Sequence, residues 1–335
     1  MKKICALALA VAMMLSITAC GGSSAPASSA AAAAAPAAPA ADAKSYNVGI
    51  CQLVQHPALD AATQGFKDAL TDKLGDAVKF DDKNASGEVP NCTTIINDFV
   101  SSDVDLILAN ATAPLQAAAA ATSSIPVLGT SITDYASALE IDNWTGTVGN
   151  NISGTSDLAP LDQQAAMLKE LFPNAKKVGL LYCSAEANSQ YQVDVISEML
   201  KGMGLECTPF AFTDSNDVAS VAQAACDASD VIYIPTDNTA ASNTEAIANV
   251  VLPAKTPVIA GEQGICSGCG VATLSIDYYD LGVITGEMAA KILTGEADVS
   301  KMAVEFAPNV TKMYNKANAE ALGVTIPEGY TAIEG

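Results

Sequence analysis

Six short segments carry the side chains with chemistry to offer, and the chemistry they suggest is binding. They are Gln52-Leu-Val-Gln-His56-Pro, Asn110-Ala-Thr112, Ser131-Ile-Thr133-Asp134, Ser184-Ala-Glu186-Ala-Asn188-Ser189, Pro235-Thr-Asp237-Asn238-Thr239 and Gly261-Glu262. Each follows an apolar run of strand length, and most lead into a helix. Hydroxyl and amide side chains beside the open N–H groups of a helix start can hold a carboxylate through backbone donors and the helix dipole. Such residues also cap helices routinely, so no single one of them marks a site. The chain contains no arginine. A zwitterion then suits the set, with hydroxyls of Thr112, Ser131 or Ser189 on its carboxylate and an acid such as Asp237 on its ammonium.

Catalysis lacks its usual groups. There is one histidine, His56, and neither His-Glu-x-x-His nor Gly-x-Ser-x-Gly occurs. A carboxylate pair such as Asp134 with Asp237 is the remaining enzymatic option, and binding is preferred to it. Gly261-x-x-Gly264-x-x-x-Gly268 lacks the dinucleotide spacing, so no cofactor is expected. Cys266-Ser-Gly-Cys269 reads as a loop cysteine pair open to oxidation, because zinc would lack further ligands and no metal is expected. Cys51, Cys92, Cys183, Cys207 and Cys226 fall in strand or helix patterns and read as buried small hydrophobes.

The elements that must position these loops come in two copies. Asp105-Leu-Ile-Leu-Ala-Asn-Ala-Thr-Ala, a helix and Ile125-Pro-Val-Leu-Gly-Thr are echoed by Asp230-Val-Ile-Tyr-Ile-Pro-Thr-Asp-Asn-Thr-Ala, a helix and Thr256-Pro-Val-Ile-Ala-Gly. Strands alternating with helices predict an α/β protein with two doubly wound, Rossmann-like lobes joined by a multi-strand hinge. Ligands of open parallel sheets sit at the carboxyl ends of the strands, where the loops lie. Residues 46–150 with about 277–303 are expected to form the first lobe, and residues 151–276 with about 304–335 the second. A helix is expected over 239–252.

Met1-Lys-Lys and the short apolar run that follows read as an export signal over residues 1–19. It closes on Ile17-Thr-Ala-Cys20, which resembles a lipobox and implies lipidation of Cys20. Residues 21–45 are almost entirely Ser, Ala, Pro and Gly, a tether with a reach of roughly 25 to 30 Å. Taking the two leader lysines from the 16 basic residues leaves 14 against 37 acids, a net charge near −23. So acidic a body, without clustered Lys or Arg, excludes nucleic acid as a partner. The expected setting is extracytoplasmic, with membrane contact through the lipid alone and the body a monomer.

The strings Gln52-Leu-Val-Gln-His-Pro-Ala-Leu-Asp-Ala-Ala, Gly154-Thr-Ser-Asp, Glu186-Ala-Asn-Ser189, Ile234-Pro-Thr-Asp-Asn-Thr239, Asp277-Tyr-Tyr-Asp-Leu-Gly282 and Thr285-Gly-Glu-Met-Ala-Ala span most of residues 46–325. Together they resemble the substrate-binding lipoproteins of ABC importers that take up tryptophan and other aromatic amino acids. The resemblance implies a type I periplasmic-binding-protein fold, closure around one small molecule, and delivery to a separate permease and ATPase. By matched position it implies pocket roles for Thr112, Ser131, Asp134, Asn188, Ser189, Asp237, Asn238 and Asp277. Gln52 and Glu262, from the strand-end loops, complete the candidate set. Gln55, where the family commonly has an acid, and Ile265-Cys-Ser-Gly-Cys-Gly270 depart from the pattern and bear on the ligand's side chain. A nucleoside, purine or sugar receptor on the same fold is the alternative, and a ligand sensor without transport is the other.

Overall fold

A computed structural model describes residues 44–333. The signal, the tether and Cys20 lie outside the described residues. The first lobe is built on β1 (Tyr46–Gln52), β2 (Val78–Asn84), β3 (Leu106–Asn110), β4 (Val127–Ile132) and β5 (Ile152–Ser156), with α1 (Pro57–Leu74), α2 (Val89–Ser101), α3 (Thr112–Ala121) and α4 (Tyr135–Ala138) between them. The second begins with α5 (Leu161–Leu171) and continues through β6 (Lys177–Cys183), α6 (Ala187–Gly202), β7 (Glu206–Phe212), α7 (Val218–Ala228), β8 (Val231–Ile234), α8 (Asn238–Ser242), α9 (Thr244–Ala254), β9 (Val258–Ala260), α10 (Gln263–Cys269) and β10 (Ala272–Ile276). The chain then returns to the first lobe as α11 (Tyr278–Thr294) and β11 (Glu305–Phe306), and ends in the second as β12 (Val310–Tyr314), α12 (Lys316–Leu322) and β13 (Thr331–Ala332).

The echo in the sequence becomes an echo in topology. The first sheet runs β2-β1-β3-β4-β5-β11, and the second runs β7-β6-β8-β9-β10-β12-β13. Every pairing is parallel except β10 with β12. Strands such as β3 and β8 are buried along their whole length, as helices on both faces of a parallel sheet require. Both sheets thus change direction about their first strand, between β1 and β3 and between β6 and β8, and these switch points open a crevice at the strand ends.

One face of the first sheet is covered by α1 and α11, whose Phe66, Leu70, Met288 and Ala289 pack on Tyr46, Val48 and Ile50. The two helices approach closely because glycines face across the seam: a Cβ on Gly65 would stand 2.2 Å from the Tyr279 carbonyl oxygen, and one on Gly282 2.1 Å from that of Ala62. The other face is covered by α2 and α3, through Phe99, Ile96 and Leu115. Fully burying a side chain of this size contributes roughly 1.5 to 3 kcal/mol.

Three departures from the sequence expectations have physical causes. Residues 152–156, expected in the second lobe, pair with β4 in the first sheet, and residues 305–306 pair with β5 there, so the lobes join at residues 157–160, 276–277 and 307–309. The Gly, Asn and Ser content around 147–156 belongs to a strand with close backbone neighbours. Residues 263–269 form a helix instead of a loop, started by the Glu262 side chain, which accepts from the N–H groups of Gly264 and Ile265. Cys266 and Cys269 are consequently buried free thiols on that helix, not an oxidised loop pair. The helix expected over 239–252 is two helices, broken at Asn243.

Candidate functional site

A cavity of about 380 Å³ lies between the lobes at the two switch points. Leu53, Val54, Glu88 and Thr112 line it from the first lobe, and Glu186, Asn188, Asn238 and Thr239 from the second. Its size falls in the ordinary range of small-molecule sites. The lobes are closed upon each other: His56 Nε2 lies 3.2 Å from Asn238 Oδ1, α4 packs on α6, and α1 touches α10.

The second-lobe wall is braced by its own polar groups. Glu186 Oε1 accepts from the Thr239 N–H and hydroxyl, at 2.8 and 2.7 Å, while Oε2 accepts from the Asn238 N–H and side-chain amide, at 3.0 and 2.7 Å. Asn188 and Gln192 both donate to the Thr236 carbonyl, and Gln192 accepts from the Thr236 N–H. Asp237 caps α8 by accepting from the Ala240 N–H at 2.7 Å and ties to β6 by accepting from the Cys183 N–H at 2.6 Å. Asp237 is 1% exposed and does not line the cavity. The acids of this wall that line the cavity are Glu186 and Asp214.

The first-lobe wall is strained. Ser131 occupies a β-bulge between β4 and β5 with φ +57°, and Ala111, before α3, has φ +100°. Both are conformations that L-residues adopt at a cost of about 1 to 3 kcal/mol and that cluster at ligand sites. Gly154 opposite the bulge is obligatory, since its φ is +142° and a Cβ would stand 2.0 Å from the Gly129 oxygen. The Tyr135 hydroxyl sits 3.0 Å from that same oxygen and 3.1 Å from the Thr155 oxygen, pinning the bulge. Three polar atoms of this lobe are buried without a hydrogen-bond partner among the described residues: Ser131 Oγ, Asn110 Oδ1 and His56 Nδ1.

Burial raises the acids around the cleft. It pushes Asp237 up to about 7, helped by the Glu186 charge and opposed by the Cys183 and Ala240 N–H groups. It pushes Asp157, in the first crossing, up to about 6, against the Tyr278 hydroxyl that donates to it. Glu262 is raised by burial as well, with the nearby His56 and its two N–H donors opposing.

Of the residues singled out in the sequence, Thr112, Asn188 and Asn238 come together as cavity walls. Gln52 lies behind them, holding Asp60, Thr63 and the Val54 carbonyl. Ser189 is fully buried beside Asn188. Asp134 caps α4 and faces Tyr191 of α6, whose phenol is pushed up by burial and by that charge. Glu262 and Asp277 border a different cavity of about 370 Å³, together with Pro57 and Tyr278. Glu186 and Thr239 lie in the segments named from the sequence but not in the candidate set drawn from them, although the Glu186-Ala-Asn188 string at a helix start was the available signal. Among the described residues no helix is long and apolar enough to cross a membrane, and no cluster of metal-ligating side chains occurs.

Residues 47–333 match the family of ABC transporter substrate binding proteins. A tyrosine-binding protein of Clostridioides difficile (strain R20291) is 38% identical over 257 residues, 76% of this chain and 74% of its own length. The structure of an ABC domain from Streptococcus pneumonia in complex with L-Trp superposes with a TM-score of 0.82 at 32% identity, covering 87% of this chain and 100% of that one. The ligand-free, open structure of a substrate binding protein with adhesive properties from Clostridium difficile reaches only 0.66 at 36% identity, over 86% and 99%. Since greater identity goes with poorer overlap, the lobes here are arranged more like those of the L-Trp complex than like those of the open form.

Proposed function

Because this chain belongs to the ABC transporter substrate-binding proteins, which work outside the cytoplasm and hand a small molecule to a permease and its ATPase, we propose that it captures an aromatic amino acid by closing its lobes. The observation that carries the reading is the inter-lobe cavity at both switch points, walled by Thr112, Glu186, Asn188 and Asn238. The names of the relatives that bind tyrosine and L-Trp support an aromatic side chain. In this reading Ser131 and Thr112 supply hydroxyl donors to the carboxylate, and Asp134, Ser189, Asp237 and Gln52 hold the walls in place. Glu262 and Asp277 belong to the hinge side. The lobes comprise residues 46–156 with 278–306, and 161–276 with 310–332. The working protein is a monomer anchored through a lipid on Cys20, and Cys20→Ala would release it from the membrane fraction.

A thermal-shift panel of amino acids, nucleosides and sugars tests the ligand class. A ligand at 100 times its dissociation constant adds about 2.7 kcal/mol of stability. Tyrosine, tryptophan or phenylalanine should raise the melting temperature. A shift with only a sugar or a nucleoside would sink the amino-acid reading.

A further inference from the structure

We propose that Asp157 is the residue that recognises the ligand's α-ammonium group, and so makes the site specific for amino acids over other aromatic acids. The inference rests on the amino-acid reading and names the group that enforces it.

Three acids are buried beside the cleft, Asp157, Asp237 and Glu262, and Glu186 lines it; all but Asp157 have both oxygens engaged. Asp237 holds the Ala240 and Cys183 N–H groups, Glu262 holds those of Gly264 and Ile265, and Glu186 holds the backbone and side chains of Asn238 and Thr239. Asp157 differs. It is 4% exposed, its Oδ2 accepts from the Tyr278 hydroxyl at 2.9 Å, and its Oδ1 has no partner of hydrogen-bonding geometry, although the Thr133 side chain lies near enough to favour the charged form. A buried carboxylate oxygen without a donor is costly unless something positive meets it. The protein supplies nothing of the kind: it has no arginine, and the lysine ion pairs among the described residues all involve other acids.

Position supports the assignment. Asp157 begins the first crossing, Tyr278 follows the second, and their hydrogen bond joins two of the three hinge segments. The Asp157 N–H donates to the Ile132 carbonyl, beside the bulged Ser131 whose unpartnered hydroxyl serves the ligand carboxylate, so the two groups of an α-amino acid would be met side by side. An ammonium offers donors and no acceptor, which suits a carboxylate oxygen that lacks a donor.

Calorimetry on the wild type and Asp157→Asn decides the matter, using L-tyrosine, L-tryptophan and the corresponding arylpropionates, which keep ring and carboxylate but lack the amine. Asparagine preserves the shape and can still accept from Tyr278. The wild type should favour the amino acid by roughly thirtyfold or more, the usual cost of removing one member of a desolvated charge pair. Asp157→Asn should lose most of that preference through weaker amino-acid binding. A variant that keeps the preference overturns the assignment. A wild type that binds no amino acid overturns the functional reading itself, and the assignment with it. Should the variant fail to fold, a wild-type crystal structure with bound amino acid decides: its nitrogen must lie within about 3.2 Å of Asp157, and an ammonium held elsewhere refutes the proposal.

Discussion

The two lobes use the same device at the amino ends of their strands and opposite ones at the carboxyl ends. Asp105, starting the first copy, accepts from the Asn47 N–H of β1 at 2.7 Å, and Asp230, starting the second, accepts from the Lys176 and Lys177 N–H groups at β6 at 2.8 and 2.9 Å. At the ligand end the first lobe leaves Ser131 and Ala111 strained and several polar atoms unpartnered, while the second satisfies its loops through Glu186, Asp237, Asn188 and Gln192. One repeated pattern therefore yields a preorganised wall and a wall that keeps hydrogen-bonding capacity unused. Scaffolding is shared between copies, and recognition is divided between them.

If buried acids hold the second wall together, its stability should depend on pH in an unusual direction. The folded state holds the Asp237 proton more tightly than the unfolded chain does, since its carboxyl titrates near 7 in the fold against an ordinary 3.8. The penalty for the charged form is thus absent below the unfolded value and grows as pH rises through the folded one. Asp157 and Glu262 are displaced the same way. Urea unfolding of the ligand-free protein should show stability rising by about 3 kcal/mol between pH 7.5 and 5, and a flat or falling profile would contradict buried, unpaired acids. Glu186→Ala should next weaken ligand binding by roughly thirtyfold or more, because the Asn238 and Thr239 donors would lose their shared acceptor. It should also flatten the pH profile, since the Glu186 charge helps to raise Asp237; unchanged affinity would confine the bracing to stability.

Ser131→Gly probes the other wall and has the smallest expected effect. Glycine tolerates φ +57° and removes a buried hydroxyl without a partner, so the ligand-free protein should gain about 1 kcal/mol while affinity falls. A stability loss on this change would show that the bulge is not strained.

Much of the fold was legible because its signals are local. Strand-length apolar runs ending in polar loops located β1, β3, β6 and β8, and the tandem echo implied paired lobes. The bulge at Ser131 and the capture of 152–156 by the first sheet were not legible, because they depend on Gly154 meeting Gly129 across strands. The pair Gly264 and Gly268 hid α10, whose start is set by a side chain outside it. For the site, the loops were readable and the division of labour among their acids was not. Whether Asp237 meets a ligand or a helix N–H is decided by burial and by Cys183, 54 positions away. Asp157 offered no signal beyond lying in a family-like string.

The seam between α1 and α11 also constrains how the chain is assembled. These helices are separated by some two hundred residues of sequence, yet together they cover one face of the first sheet. The second lobe can build β6 through β10 from continuous chain, adding β12, α12 and β13 at one side later. The first lobe begins earlier, and its covering helix α11 follows only after β10 is complete. A polypeptide delivered amino end first would have only α1 over Val48 and Ile50 until residue 294 arrives, so the lobe whose strands come first waits for a helix made after β6 through β10.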